Sequence, residues 1–165
     1  MSGLKILQRN HLFAVRYNPL NVPPPIALRY LTKRNNPIYP KIAHMYQTRD
    51  PNTLWWSVSS IDMLSEKKVV RSWCCRRVRE AFREALERKG FDREGRRVVP
   101  DADEGTIIAV KDQKGTLILN PRPEMKKASY EEIQELADKA LDLLVNTTFK
   151  VPANRAKPWT KKHGP

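Results

Sequence analysis

Ser72-Trp-Cys-Cys-Arg-Arg-Val-Arg-Glu-Ala-Phe-Arg-Glu-Ala-Leu-Glu-Arg-Lys-Gly90 is the stretch that decides the fold. Cys74, Cys75, Val78, Ala81, Phe82, Ala85 and Leu86 fall on one arc of a helical wheel. Arg76, Arg79, Glu80, Arg83, Glu84 and Glu87 fall on the other. The spacing predicts a helix over 72–89, with Ser72 as N-cap, Gly90 as the stop, and Arg88 and Lys89 suited to the C-terminal dipole. One apolar stripe needs one sheet face to cover it.

The strands are sought on either side. Leu54-Trp-Trp-Ser-Val58 is rich in aromatic and β-branched types and reads as a strand. Ile26–Leu31 and residues 38–46 are further strand expectations, the second confined to an edge or split by Pro40. Downstream, Thr106–Val110 and Thr116–Leu119 flank Lys111–Gly115 and read as a β-hairpin. Ser129-Tyr-Glu-Glu132 is a capping box, and Ile133, Leu136, Ala137, Ala140, Leu141 and Leu144 repeat at helical spacing up to about Val145. The expected class is α+β: a two-layer sandwich with a small antiparallel sheet and two helices on one face, in the order β(β)αββα. The second sheet face is expected to be open, or covered by an arm or a partner.

Charge sets the domain boundaries. The chain of 165 residues has a net charge of +13, and its middle, 50–149, is neutral. The first 49 residues contain eight Lys or Arg and no acid; residues 150–165 contain five and no acid. Prolines crowd both ends and are absent from 52 to 99. The reading is a basic, Pro-containing N-terminal arm over 1–25, a body over 26–149 and a basic tail over 150–165, with the arms extended. Lys5, Arg9 and Arg16 opposite Leu4, Leu7, Ala14 and Val15 resemble the pattern of a mitochondrial targeting segment.

Several function classes lack support. There is no apolar run of membrane-spanning length. The only cysteines, Cys74 and Cys75, are adjacent and fall on the apolar arc, which suits buried thiols in a reducing compartment. His11, His44 and His163 have no metal-ligand companions at useful spacing, and no nucleophile–base pair or phosphate loop stands out. Asp101, Asp103 and Glu104 form the one acidic cluster suited to Mg²⁺, and a small nuclease using them is the enzyme alternative. The reading is a non-enzyme with no cofactor and no small-molecule substrate.

Uncompensated cations at both ends point to a polyanion. Lys5, Arg9, Arg16, Arg29, Lys33, Arg34, Lys41, Lys157, Lys161 and Lys162 are the candidate RNA-binding residues. Arg96 and Arg97 join them because neither has an obvious acidic partner. Arg76, Arg79 and Arg83 form a stripe that can reach phosphates. Pairs four apart, Arg76–Glu80, Arg83–Glu87 and Glu84–Arg88, read instead as a salt-bridged, solvated face. Of Trp55 and Trp56, one is expected in the core and the other under the first arm or stacked on a base. Tyr17, Tyr30 and Trp159 interleave with the arm cations, as RNA recognition favours.

A neutral body with basic, Pro-containing extensions resembles a mitochondrial ribosomal protein. The order of elements over 26–145, with Asn36-Pro37-Ile38-Tyr39, is similar to the SUI-type, initiation-factor-like family, which includes a mitochondrial large-subunit ribosomal protein. The resemblance implies a ribonucleoprotein component of the mitochondrial matrix, with rRNA and neighbouring ribosomal proteins as partners. A dissociable RNA-processing or translation factor is the first alternative. A membrane-associated assembly or respiratory-complex subunit, its arms on anionic lipid, is the second.

Overall fold

The computed structural model describes residues 5–98 and 112–150, with side chains up to 147. The element order is β1 (Lys5–Arg9), β2 (Phe13–Asn18), α1 (Pro25–Leu31), α2 (Tyr39–Thr48), β3 (Leu54–Val58), α3 (Lys68–Arg88), β4 (Gly115–Pro121) and α4 (Tyr130–Lys150). Single 3₁₀ turns lie at Ile61–Met63 and Pro123–Lys127. The class is α+β, as expected. Strand order is β1-β2-β4-β3.

Period-two alternation gives the sheet two faces. Phe13, Val15, Tyr17, Leu54, Leu117 and Leu119 are buried on one face against α3 and α4. Helix α3 contributes Cys74, Val78, Ala81, Phe82, Ala85 and Leu86, and α4 contributes Ile133, Ala137, Ala140, Leu141 and Leu144. Gln134 reaches between the helices and donates its side-chain amide to the Ala81 carbonyl at 3.0 Å. Arg88 pairs with Asp138 at 2.8 Å, and Lys89 pairs with Asp142. The two-helix layer on one sheet face is therefore the layer that the apolar stripes of α3 and α4 require.

Several details differ from the sequence reading. Residues 26–31 and 38–46 lie in helices α1 and α2 rather than strands. Pro25 and Pro40 sit in the first turn of each, where a missing N–H costs nothing and the fixed φ favours the helix. The sheet is mixed rather than antiparallel, since β3 and β4 run parallel with α3 as their crossover. Among the described residues the order is thus ββααβαβα, not β(β)αββα. Thr116–Leu119 falls in β4, whose two edges are taken by β2 and β3; the other half of the expected hairpin, 106–110, lies outside the described residues. Finally, Lys67 rather than Ser72 is the N-cap of α3.

A further difference changes the domain reading. Within the supposed arm 1–25, residues 5–9 and 13–18 are strands. Asn10 shapes their turn, its Oδ1 accepting the N–H groups of Leu12 (3.0 Å) and Phe13 (2.7 Å). Phe13 and Val15 have no exposed surface. A second clamp follows at Asn21. Its Oδ1 accepts the Gly115 N–H at 2.9 Å and its amide donates to the Thr53 carbonyl at 3.0 Å, which ties the starts of β3 and β4 together.

Tyr17, one of the aromatics interleaved with the basic residues in sequence, is buried, donates its hydroxyl to the Lys114 carbonyl at 2.8 Å, and burial raises its pKa to about 12. Between about pH 10 and 12 the folded state keeps a proton that the unfolded chain releases, so stability falls as pH rises through that window. Urea unfolding across this range is expected to show that decline, and Tyr17→Phe is expected to make it shallower. An equal decline in the variant would place the titrating group elsewhere.

Cys74 and Cys75 are free and buried, as read, and burial raises both thiol pKa values. They are poor nucleophiles as a result.

Candidate nucleic-acid interface

Residues 25–49 leave the sheet after β2 and return to it at β3, so α1 and α2 form an excursion. Only Ala27 of α1 and Ala43 of α2 are buried. The excursion carries Arg29, Lys33, Arg34, Lys41 and Arg49 and no acidic residue. Arg29, Lys33, Arg34 and Lys41 are exposed. Large apolar side chains stand among them uncovered: Ile26 is 50 % exposed, Tyr30 36 %, Ile38 47 % and Met45 46 %. Ile26 and Tyr30 lie one turn apart on α1, and Lys41 and Met45 one turn apart on α2. Cations are therefore set beside flat or apolar surface, an arrangement suited to phosphates with stacked or partly unstacked bases.

The excursion is anchored to the sheet face opposite α3. Trp55, the neighbour of helix-facing Leu54, points to that face and packs on Tyr46 with ring centroids 5.5 Å apart. The Arg49 guanidinium lies over the Trp55 ring at 5.2 Å. Trp55 also donates its indole N–H to the Asp50 carbonyl at 3.0 Å. Thr116 on the same face bonds residues 20–22, accepting the Val22 N–H at 2.8 Å. Trp56 faces the helices and packs on Phe82 at 5.0 Å, its indole N–H donating to the Arg93 carbonyl. Both tryptophans are thus structural. The second sheet face is covered at its β3–β4 end by the chain's own α2 and its lead-in.

The other predicted cations separate into groups. Lys5, Arg9 and Arg16 lie on the β1–β2 hairpin at the far edge of the sheet. Lys5 and Arg9 are exposed, whereas Arg16 is half-buried with its Nε buried and without an acceptor. Arg96, read as unpaired, bridges Asp50 at 3.0 Å and Glu94 at 3.1 Å. The Asn52 backbone amide and then the Arg96 guanidinium hold the Asp50 carboxyl below its usual range. Arg96 is therefore a bracket between the end of α2 and the 92–97 turn before it is a phosphate ligand. Arg97 donates its backbone N–H to Asp112 at 3.0 Å. Lys157, Lys161, Lys162 and Trp159, with Asp101, Asp103 and Glu104, lie outside the described residues. Among the described residues no group of His, Cys, Asp and Glu could hold a metal ion.

No family model, no curated protein and no solved structure matches this chain. Among the described residues no helix is long and apolar enough to cross a membrane. The functional reading thus stands on the surface itself. Sequence reasoning found its cations but missed Arg49 as the link to the body, and it missed the uncovered Ile26, Ile38 and Met45. The i, i+4 spacing of Ile26 with Tyr30 and of Lys41 with Met45 was the available signal, hidden because both segments were read at strand period.

Proposed function

We propose that this protein is a structural RNA-binding component of a ribonucleoprotein, and that the particle is the mitochondrial ribosome. Helices α1 and α2 lie on rRNA phosphates through Arg29, Lys33, Arg34 and Lys41, with Lys5 and Arg9 touching a neighbouring strand. The observation that carries this reading is the acid-free helical excursion 25–49, tethered to a body whose charges balance. A run of cations with no acid in residues 25–49 gains much from displacing counterions on a polyanion. The charge layout's likeness to mitochondrial ribosomal proteins supplies the particle.

Sedimentation of the tagged protein from organelle lysate, with and without RNase, tests the reading. Stoichiometric co-migration with one ribosomal subunit, lost after RNase, is expected. Migration at the top of the gradient in both cases would replace this reading with that of a free factor.

A further inference from the structure

The stripe along α3 is not the salt-bridged face that its spacing implied. Of the three pairs four residues apart, only Glu84–Arg88 closes, at 3.3 Å. Glu80 and Glu87 stand near Arg76 and Arg83, yet neither forms an ion pair with them within the described residues. On the wheel, Arg76, Arg79 and Arg83 share the flank turned away from α4. The α4 side is the one that holds Arg77, which donates to the Ala128 carbonyl at 2.9 Å, and Arg88. None of Arg76, Arg79 and Arg83 has an acidic partner among the described residues.

Two of these three side chains are half-buried, Arg79 and Arg83. Their stems lie along the helix surface, so the guanidinium groups are held rather than swinging. The row from Arg76 to Arg83 runs about 10 Å along the helix. A nucleic-acid strand offers one anionic phosphate per roughly 3.4 Å of helix axis.

We infer that this flank of α3 is a second phosphate-binding surface for RNA, separate from α1–α2. The inference rests on the RNA-binding reading above and deepens it. Helix α3 covers one face of the sheet and α2 is anchored to the other, so a single short duplex cannot engage both. The protein then joins two RNA segments across its sheet.

The test is a titration of the full chain with a short RNA duplex, reading stoichiometry and the salt dependence of affinity. The parent is expected to take two duplexes. Changing Arg76, Arg79 and Arg83 together to Gln is expected to leave one, and to lower the slope of log affinity against log salt by about 3. A matching set of Arg→Lys changes keeps the charge and is expected to retain the second duplex, which separates lost contact from lost fold. A Gln variant that keeps the parent's stoichiometry and slope, while an α1–α2 variant loses RNA, overturns this inference and leaves the proposed function standing. A parent that binds no duplex removes both. A Gln variant with unchanged RNA binding that loses a protein neighbour in the particle makes the flank a protein surface, and likewise overturns the inference.

Discussion

Reversing Arg29, Lys33 and Lys41 to Glu is expected to cut RNA affinity by about 10²–10³-fold at moderate salt while leaving the protein folded. Each of the three is exposed, and none forms an ion pair among the described residues. The folded state therefore loses nothing by their removal, and surface changes of this kind move stability by about 0.5 kcal/mol or less. Binding loses far more. A charge-assisted contact to a phosphate is worth about 1.5–3 kcal/mol, and 1.4 kcal/mol is a factor of ten. Three contacts, partly compensated by neighbouring cations, account for the range. The salt dependence is expected to flatten by about three in the log–log slope. Affinity and thermal unfolding measured on the same sample decide the matter. A triple variant that binds like the parent would take α1–α2 out of the interface and leave the β1–β2 edge and the tail to carry it.

The second large effect concerns stability. Gly115→Ala is expected to destabilise the protein by about 3–5 kcal/mol, a large share of what a domain of this size has. Gly115 opens β4 with a φ of +100°, which an L side chain rarely adopts. A Cβ built there meets the Asn18 carbonyl oxygen at 2.3 Å and the Pro19 backbone at 3.1 Å. Those are backbone atoms at the turn out of β2, and that turn is fixed in its own right, since Asn18 Oδ1 accepts the Leu20 N–H at 2.9 Å. No flexible side chain is available to step aside. Gly90, just past α3, is the control: its φ is +76°, but a Cβ meets nothing closer than 3.9 Å. Gly90→Ala is expected to cost only the left-handed backbone penalty, about 1–2 kcal/mol. Urea midpoints for the two variants should differ widely; equal midpoints would show that β4 does not seat against the 18–19 turn.

Much of this architecture was legible, and the misses share a cause. The stripe from Cys74 to Leu86 and the box at Ser129, whose hydroxyl accepts the Glu132 N–H at 3.2 Å, identified α3 and α4 because long periodic segments average out local ambiguity. Leu54–Val58 was recognised by composition. Ile26–Leu31 and 38–46 were not, because short segments rich in Ile, Tyr and Leu suit either state and their prolines were taken as breakers. Pro25 and Pro40 were helix starts. The hairpin at 5–18 was visible in the alternation of Phe13, Val15 and Tyr17, but Lys5, Arg9 and Arg16 drew attention to charge. The parallel pairing of β3 with β4 leaves no local signature at all, since it joins strands with α3 between them.

The candidate site divides along similar lines. Cations of the α1–α2 excursion were found because an acid-free run is a property of sequence. The pairing of Arg96 with Asp50, and the failure of Arg76 and Arg83 to close on Glu80 and Glu87, depend on how distant segments meet. Spacing alone does not report that.

The register of β2 with β4, Phe13 opposite Pro121, sets a schedule for synthesis. A strand near the start of the chain waits for one roughly a hundred residues later before Phe13 and Val15 can leave water. Up to that moment the nascent chain holds β2 with one bare edge, the state most open to pairing with other chains, and its neighbours Arg9 and Arg16 provide the repulsion that keeps such edges apart. Folding cannot proceed from the first half onward. A product that terminates before Gly115 has no core to fall back on, and it is expected to be degraded rather than to persist as a fragment.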